Sequence, residues 1–200
     1  MPQSAITILT RDHRAVEALF KRFEKTTPRA LKTRAALVAR ITRELSVHAA
    51  VEETAFYPWL RRAGTTMSDE VLEGLEEHHV IKELLAELAG MDPSEERFEA
   101  KVTVLMEQTR HHVREEEADM FPRAKKALTE QELQERGVAI RAARRAAPTR
   151  PHPHAPDEPP GNLANPMVAG IDAARDAGEA VVEAAGRAVR DARSALTGGR

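Results

Sequence analysis

The chain has 200 residues, 42% of them hydrophobic and 31% charged, with a formal net charge of −2 from 30 basic and 32 acidic residues. That length suits one domain with a tail, and the near-balance of charge excludes the basic footprint of a nucleic-acid binder. The lack of cysteine excludes disulfides, thiolate-held zinc or iron–sulfur clusters and a cysteine nucleophile. No apolar run approaches the roughly 20 residues of a membrane span, and the opening MPQSAITILTRDHR meets charge too early for a signal peptide. A cytoplasmic protein with no membrane or nucleic-acid partner is expected. Arginine outnumbers lysine, which points to a GC-rich bacterial source.

Helical periodicity runs through the first three-quarters of the chain, with no alternating strand pattern. It predicts helices over about 4–26, 29–63, 68–91, 94–126 and 129–146. Ser68 and Ser94 are candidate N-caps, Thr129 with Glu132 forms a capping box, and Gly64 and Gly90 mark helix ends. Pro58 and Pro122 fall late in the second and fourth helices, where each should kink or break its helix. Short links favour an all-α, antiparallel up-down four-helix bundle with an additional C-terminal helix and a Pro-rich tail. The expected organisation is a bundle domain over 1–147, a linker over 148–167 that cannot propagate a helix, and an Ala-rich helical or disordered tail over 168–200. The tail carries a weak stripe, including Val168, Ile171, Val182 and Val189. It reads either as a solvated helix or as a docking helix for a protein partner.

The bundle seams contain residues that a core normally rejects. Helix one runs Ile6, Leu9, His13, Val16, Phe20; helix two Ile41, Leu45, His48, Glu52; helix three Leu75, His78, Ile81, Leu85; helix four Leu105, Thr109, His112, Glu116. Each apolar run is interrupted in mid-helix by a histidine, and twice a glutamate follows one turn later on the same face. Four imidazoles and two carboxylates buried at one level need a compensating ion. An internal repeat supports this. HAAVEETAFYPWL from His48 aligns with HVREEEADMFPRA from His112, and HRAVEALF from His13 with HHVIKELL from His78. Two such halves facing each other suit two metals bridged by two carboxylates. The repeat selects His78 and His112 over the flanking His79 and His111; His152 and His154 belong to the linker. Nitrogen and oxygen donors without sulfur favour a dinuclear iron or manganese centre, because tetrahedral zinc would strand two of the six.

The phrases DHRAVEALF, HAAVEETAFYP, EEHHVIKELL and HVREEEADMFP resemble the hemerythrin-like, or HHE cation-binding, family over about residues 5–125. The resemblance implies a four-helix bundle with a non-haem di-iron centre. His13, His48, His78 and His112 would be terminal ligands, Glu52 and Glu116 bridges, and the two iron ions would share an oxo or hydroxo bridge. Oxygen-carrying members have a second histidine where this chain has Lys82, so the chain resembles the bacterial subgroup with four histidines and two glutamates. About twelve ligand positions surround two six-coordinate irons, and about two stay open here for water, dioxygen or peroxide. Tyr57 and Glu53 are candidate extra ligands, although on an ideal helix Tyr57 points away unless the break at Pro58 turns it inward. Glu44 and Gln108, one turn before His48 and His112, are candidates to orient the imidazoles.

Open coordination favours redox turnover: a di-iron protein reacting with peroxide or dioxygen, with catalase-like peroxide disproportionation as the specific reading. The alternative is an oxygen, nitric oxide or iron binding, sensing or storage protein without turnover. A ferritin-like carboxylate site is disfavoured, since only Glu76-x-x-His79 has its spacing. The basic run Arg141–Arg145 reads as a solvated helix face.

Overall fold

The computed structural model describes residues 2–63, 67–157 and 165–197, and no strand occurs among them. In chain order the elements are α1 (Ala5–Glu24), α2 (Leu31–Val51), a π-helical turn (Glu52–Phe56), α3 (Tyr57–Ala63), α4 (Ser68–Ala89), α5 (Phe98–Glu115), a second π-helical turn (Glu116–Met120), α6 (Phe121–Ala127), α7 (Glu130–Arg145) and α8 (Asn165–Thr197). α1 packs on α2, α4 on α5 and α2 on α4, giving the expected bundle of four long rods, two of them continued past a π-turn by α3 and α6.

The local chemistry that starts and stops these helices departs in places from the reading of the sequence. Ser4 caps α1 by accepting the Thr7 N–H, and Thr129 and Glu132 form the full reciprocal capping box of α7. Ser68 is instead the first residue inside α4, whose first turn is complemented by Asp69 and Glu70. Ser94 does not cap either. Its N–H and hydroxyl both donate to Asp92 Oδ1 in a tight turn around Pro93, and α5 begins four residues later. Gly90 terminates α4 as expected, and Gly64 lies outside the described residues.

The two prolines exert their effect one turn earlier than their positions suggest. A proline ring crowds the carbonyl four residues back and offers no N–H. Each helix relieves this by widening to π geometry just before it, over Glu52–Phe56 and Glu116–Met120. Single π-turns recur at functional sites, and here each begins at one of the buried glutamates.

The core is divided. One apolar cluster gathers Phe20, Phe23, Ile41, Leu85, Phe98 and Leu105 at one end of the bundle. The other gathers Ile8, Phe56, Leu60, Val71, Phe121 and Ile140 at the opposite end. The interrupting histidines and glutamates form the layer between them. α7 closes the second cluster with Leu133 and Ile140 and packs against α1 and α2. Its Gly137 faces the N-terminal segment so closely that a Cβ there would lie 2.0 Å from the Gln3 carbonyl oxygen. α8 begins at Asn165, inside the stretch expected to be linker. Its buried Asp172 accepts the backbone N–H groups of Thr149 and Arg150, while Asp176 pairs with Arg43 of α2. The apolar stripe on α8 remains turned outward at Ile171 and Val182. No helix among the described residues is long and apolar enough to cross a membrane.

Candidate metal centre

Six side chains from four rods converge in the dividing layer: His13 from α1, His48 and Glu52 from the second rod, His78 from α4, and His112 and Glu116 from the fourth. All are buried. His13 Nε2 lies 3.2 Å from His48 Nε2, and His78 Nε2 lies 3.1 Å from His112 Nε2. Glu52 Oε2 is 3.1 Å from His48 Nε2 and 3.3 Å from His78 Nε2. Glu116 Oε2 is 3.1 Å from His13 Nε2 and 3.7 Å from His112 Nε2. Each glutamate therefore stands between two histidines drawn from different halves of the repeat.

The imidazoles are held from outside by carboxylates in a crosswise pattern. Glu117 Oε1 lies 2.9 Å from His13 Nδ1, Glu53 Oε1 3.0 Å from His78 Nδ1, and Glu77 Oε2 2.7 Å from His112 Nδ1. Asp12 stands 3.9 Å from His48 Nδ1. Every one of these acids is the chain neighbour of a buried site residue: Asp12 of His13, Glu77 of His78, Glu53 of Glu52, Glu117 of Glu116. Each serves an imidazole on another rod. They obey the internal repeat, and the doublets Asp-His, Glu-His and Glu-Glu were visible in the sequence as their signal. Glu53 thus sits behind His78, where Lys82 Nζ donates to it at 2.8 Å, so the residue standing where oxygen carriers have a histidine neutralises this acid. Gln108 is exposed, and Glu44 is half-buried in a groove beside Arg43 and Asp176. Looking one turn back along the same helix missed the partners because neighbouring helices supply them.

Tyr57 reaches the layer. On a regular helix it stands about 140° round from Glu52. The π-turn spends one extra residue and returns it to about 40°. Its hydroxyl donates to Glu116 Oε1 at 2.9 Å, and its ring stacks on His78 with centroids 5.5 Å apart. Phe121, its counterpart in the repeat, stacks on His13 at 5.8 Å. His79 and His111 face outward, each about half exposed.

Burial governs the protonation of the layer. It lowers His48 to about 4 and lowers His78, so both rings are neutral at neutral pH. Burial, and next the Glu116 carboxylate, pushes Glu52 well above the usual range. Burial also opposes ionisation of Glu116, but His112, His13 and His48 outweigh it and lower its pKa. Burial raises Tyr57 well above its ordinary value, with Glu116 adding to it, so the phenol keeps its proton. Glu53 and Glu77 are lowered because, against the cost of burial, each accepts from a histidine. Burial also disfavours the charged form of His112, but Glu116 and Glu77 outweigh it and raise its pKa, and all four Nε2 atoms face inward.

Those atoms meet in pairs at 3.1–3.2 Å, and both Glu52 oxygens and Glu116 Oε2 lack a hydrogen-bond partner. Buried carboxyl oxygens without a donor are unfavourable unless a cation lies among them. His13, His48, Glu52 and Glu116 form one group of donor atoms within 4.8 Å of one another, and Glu52, His78 and His112 a second. The donor set fits metal ions, and Glu52 belongs to both groups. Beside the four imidazoles lies a cavity of about 10 Å³, about one water in size. Its other walls are Val16 and Ile81, Leu45 and Thr109, Ala49 and Val113, which pair off in the repeat. Thr109 is the one hydroxyl among them, and it donates to the Leu105 carbonyl at 2.8 Å.

Comparison with known proteins agrees with this geometry. The hemerythrin HHE cation binding domain family matches residues 4–124, and the chain belongs to that family. An uncharacterized hemerythrin-like protein of Schizosaccharomyces pombe is 31% identical over 138 residues, covering 66% of this chain and 66% of that protein. A DNA nickase of Nostoc is 25% identical over 138 residues, 68% of this chain but 38% of that protein. The chain therefore spans less than two-thirds of either relative's length. The crystal structure of a hemerythrin HHE cation binding domain-containing protein from Mycobacterium kansasii superposes with a TM-score of 0.62 at 25% identity, covering 72% of this chain and 86% of that one. The protein is a helical, hemerythrin-like cation-binding domain with a buried histidine and glutamate cluster suited to metal.

Proposed function

We propose that the cluster holds two iron ions, with His13, His48, His78 and His112 as terminal ligands and Glu52 and Glu116 as bridges, and that this centre disproportionates peroxide or reacts with dioxygen. The observation that carries the reading is the pairing of two donor groups through Glu52 beside a cavity of about one water's volume. A bound iron pair supplies two electrons of redox capacity, matching conversion of two peroxides to two waters and one dioxygen.

The chain's own residues prepare the site. Glu117, Glu53 and Glu77 hold three imidazoles in one tautomer and orientation, and Asp12 faces the fourth. Tyr57 holds one oxygen of Glu116, leaving the other directed at His13. Val16, Leu45, Ile81 and Val113 keep bulk water from the cavity. A groove lined by Arg14, Phe20 and Arg110 reaches His13 and Thr109 from outside and gives a small molecule a path.

The largely apolar cavity also favours a second reading, stable binding of dioxygen or nitric oxide without turnover. Elemental analysis and oxygen release from added peroxide separate these. About two irons per chain with sustained oxygen evolution support turnover. Two irons with a ligand-dependent spectrum and no evolution support binding. One zinc, or no metal after iron supplementation, overturns both.

A further inference from the structure

A second set of metal-type donors lies outside the buried centre. Glu77 of α4 and His111 and Glu115 of α5 present three ligand atoms within 4.8 Å of one another. His111 Nε2 is 3.2 Å from Glu115 Oε1 and 3.5 Å from Glu77 Oε1, and the imidazole is half exposed. Acids on a surface are common. This set differs because it adjoins a groove of about 220 Å³ whose wall includes both His112 and Glu116. Glu116 is 1% exposed, and its Oε2 has no hydrogen-bond partner. The groove thus connects solvent to a buried carboxylate that has one oxygen held by Tyr57 and the other without a hydrogen bond.

Charge distinguishes this groove from the one that reaches His13. Here Glu70, Glu73, Glu77, Glu115 and Asp119 line the walls, and the cation Arg123 is paired with Glu70. The groove at His13 carries Arg14, Arg110 and Arg114 with a single acid, Glu17. A cleft lined by one sign of charge concentrates the opposite sign and raises its on-rate. Glu77 links inside and outside: Oε1 faces His111, and Oε2 lies 2.7 Å from His112 Nδ1.

We propose that the acidic groove admits divalent cations to the buried centre, and that Glu77, His111 and Glu115 form the site where the ion is first captured. Two carboxylates and one imidazole, open to water, suit a labile divalent ion such as Fe²⁺, Mn²⁺ or Co²⁺. With three donors on a solvent-open wall, against six buried side chains in the centre, the site holds its ion more weakly and hands it inward. The proposal rests on the reading of the six buried residues as a metal centre.

The test mixes metal-free, full-length protein with Co²⁺, follows uptake by visible absorbance and measures the final content by elemental analysis. His111→Ala/Glu115→Gln should reach the wild-type Co²⁺ content about tenfold more slowly, with a weaker dependence on salt. Glu107→Gln, an exposed position on the same helix outside the groove, should load at the wild-type rate. Equal rates for wild type and double variant would overturn the groove while leaving the centre standing. Equal slowing by Glu107→Gln would reduce the effect to net charge and overturn the capture site. A lower final content in the double variant would make these residues part of the centre rather than its feeder. If wild-type protein takes up no Co²⁺, the centre falls and the groove with it.

Discussion

Two adjacent histidines on α4 provide a sharp comparison. His78→Ala removes a buried donor that faces His112 and Glu52, and it should cost about half the iron content. His79→Ala changes an outward side chain and should keep both the iron and, within about 0.5 kcal/mol, the stability. Elemental analysis and a thermal melt of both variants check this, and equal losses would defeat the assignment. Tyr57→Phe should preserve the packing, because Phe121 already fills the matching position against His13. It leaves Glu116 Oε1 without its donor, so the metal-free variant should lose about 1–3 kcal/mol in a denaturant titration. At this scale the six converging side chains were legible because each interrupts an apolar seam at a position fixed by the repeat. The outer carboxylates were harder to read. Each lies beside a buried site residue in sequence yet acts on a histidine of another rod, so no single-helix pattern ties Glu117 to His13.

Helix boundaries test smaller energies. Thr129→Ala removes the hydroxyl half of the α7 capping box and should cost about 1 kcal/mol. Gly137→Ala places two effects in opposition. Helix propensity would gain about 1 kcal/mol, but the new methyl meets a backbone carbonyl at 2.0 Å and must push α7 or the N-terminal segment aside. Overpacking of that kind costs about 1–3 kcal/mol, so the variant should unfold at lower urea than wild type. The sequence marked the existence and order of the bundle helices, their prolines and the cap at Thr129. It did not mark the π-turns, since a proline announces strain without saying which residues absorb it. It also misplaced the start of α5, where Asp92 captures Ser94 before a helix can form.

Among the described residues, no tail side chain enters the histidine layer; α8 is tied to Arg43 on the outside of α2 through Asp176, while Asp172 accepts from the Thr149 and Arg150 N–H groups of the linker. Deleting residues 148–200 should therefore leave the iron content unchanged. Deleting from residue 129 also removes Leu133 and Ile140 from the second apolar cluster, and that truncation should fail to fold. Elemental analysis and circular dichroism of the two truncations distinguish the cases. The division of the core bears on folding as a whole. Two separate apolar clusters, one at each end of the rods, adjoin across a stratum of buried imidazoles and carboxyl oxygens that lack hydrogen-bond donors. Without metal, little couples one end to the other, and each end can open independently in hydrogen exchange. With the ions in place the stratum becomes a rivet through all four rods. Calorimetry should then show one sharp endotherm for the loaded protein and two broad, overlapping ones for the stripped protein, so that the cooperativity of unfolding itself reports occupancy.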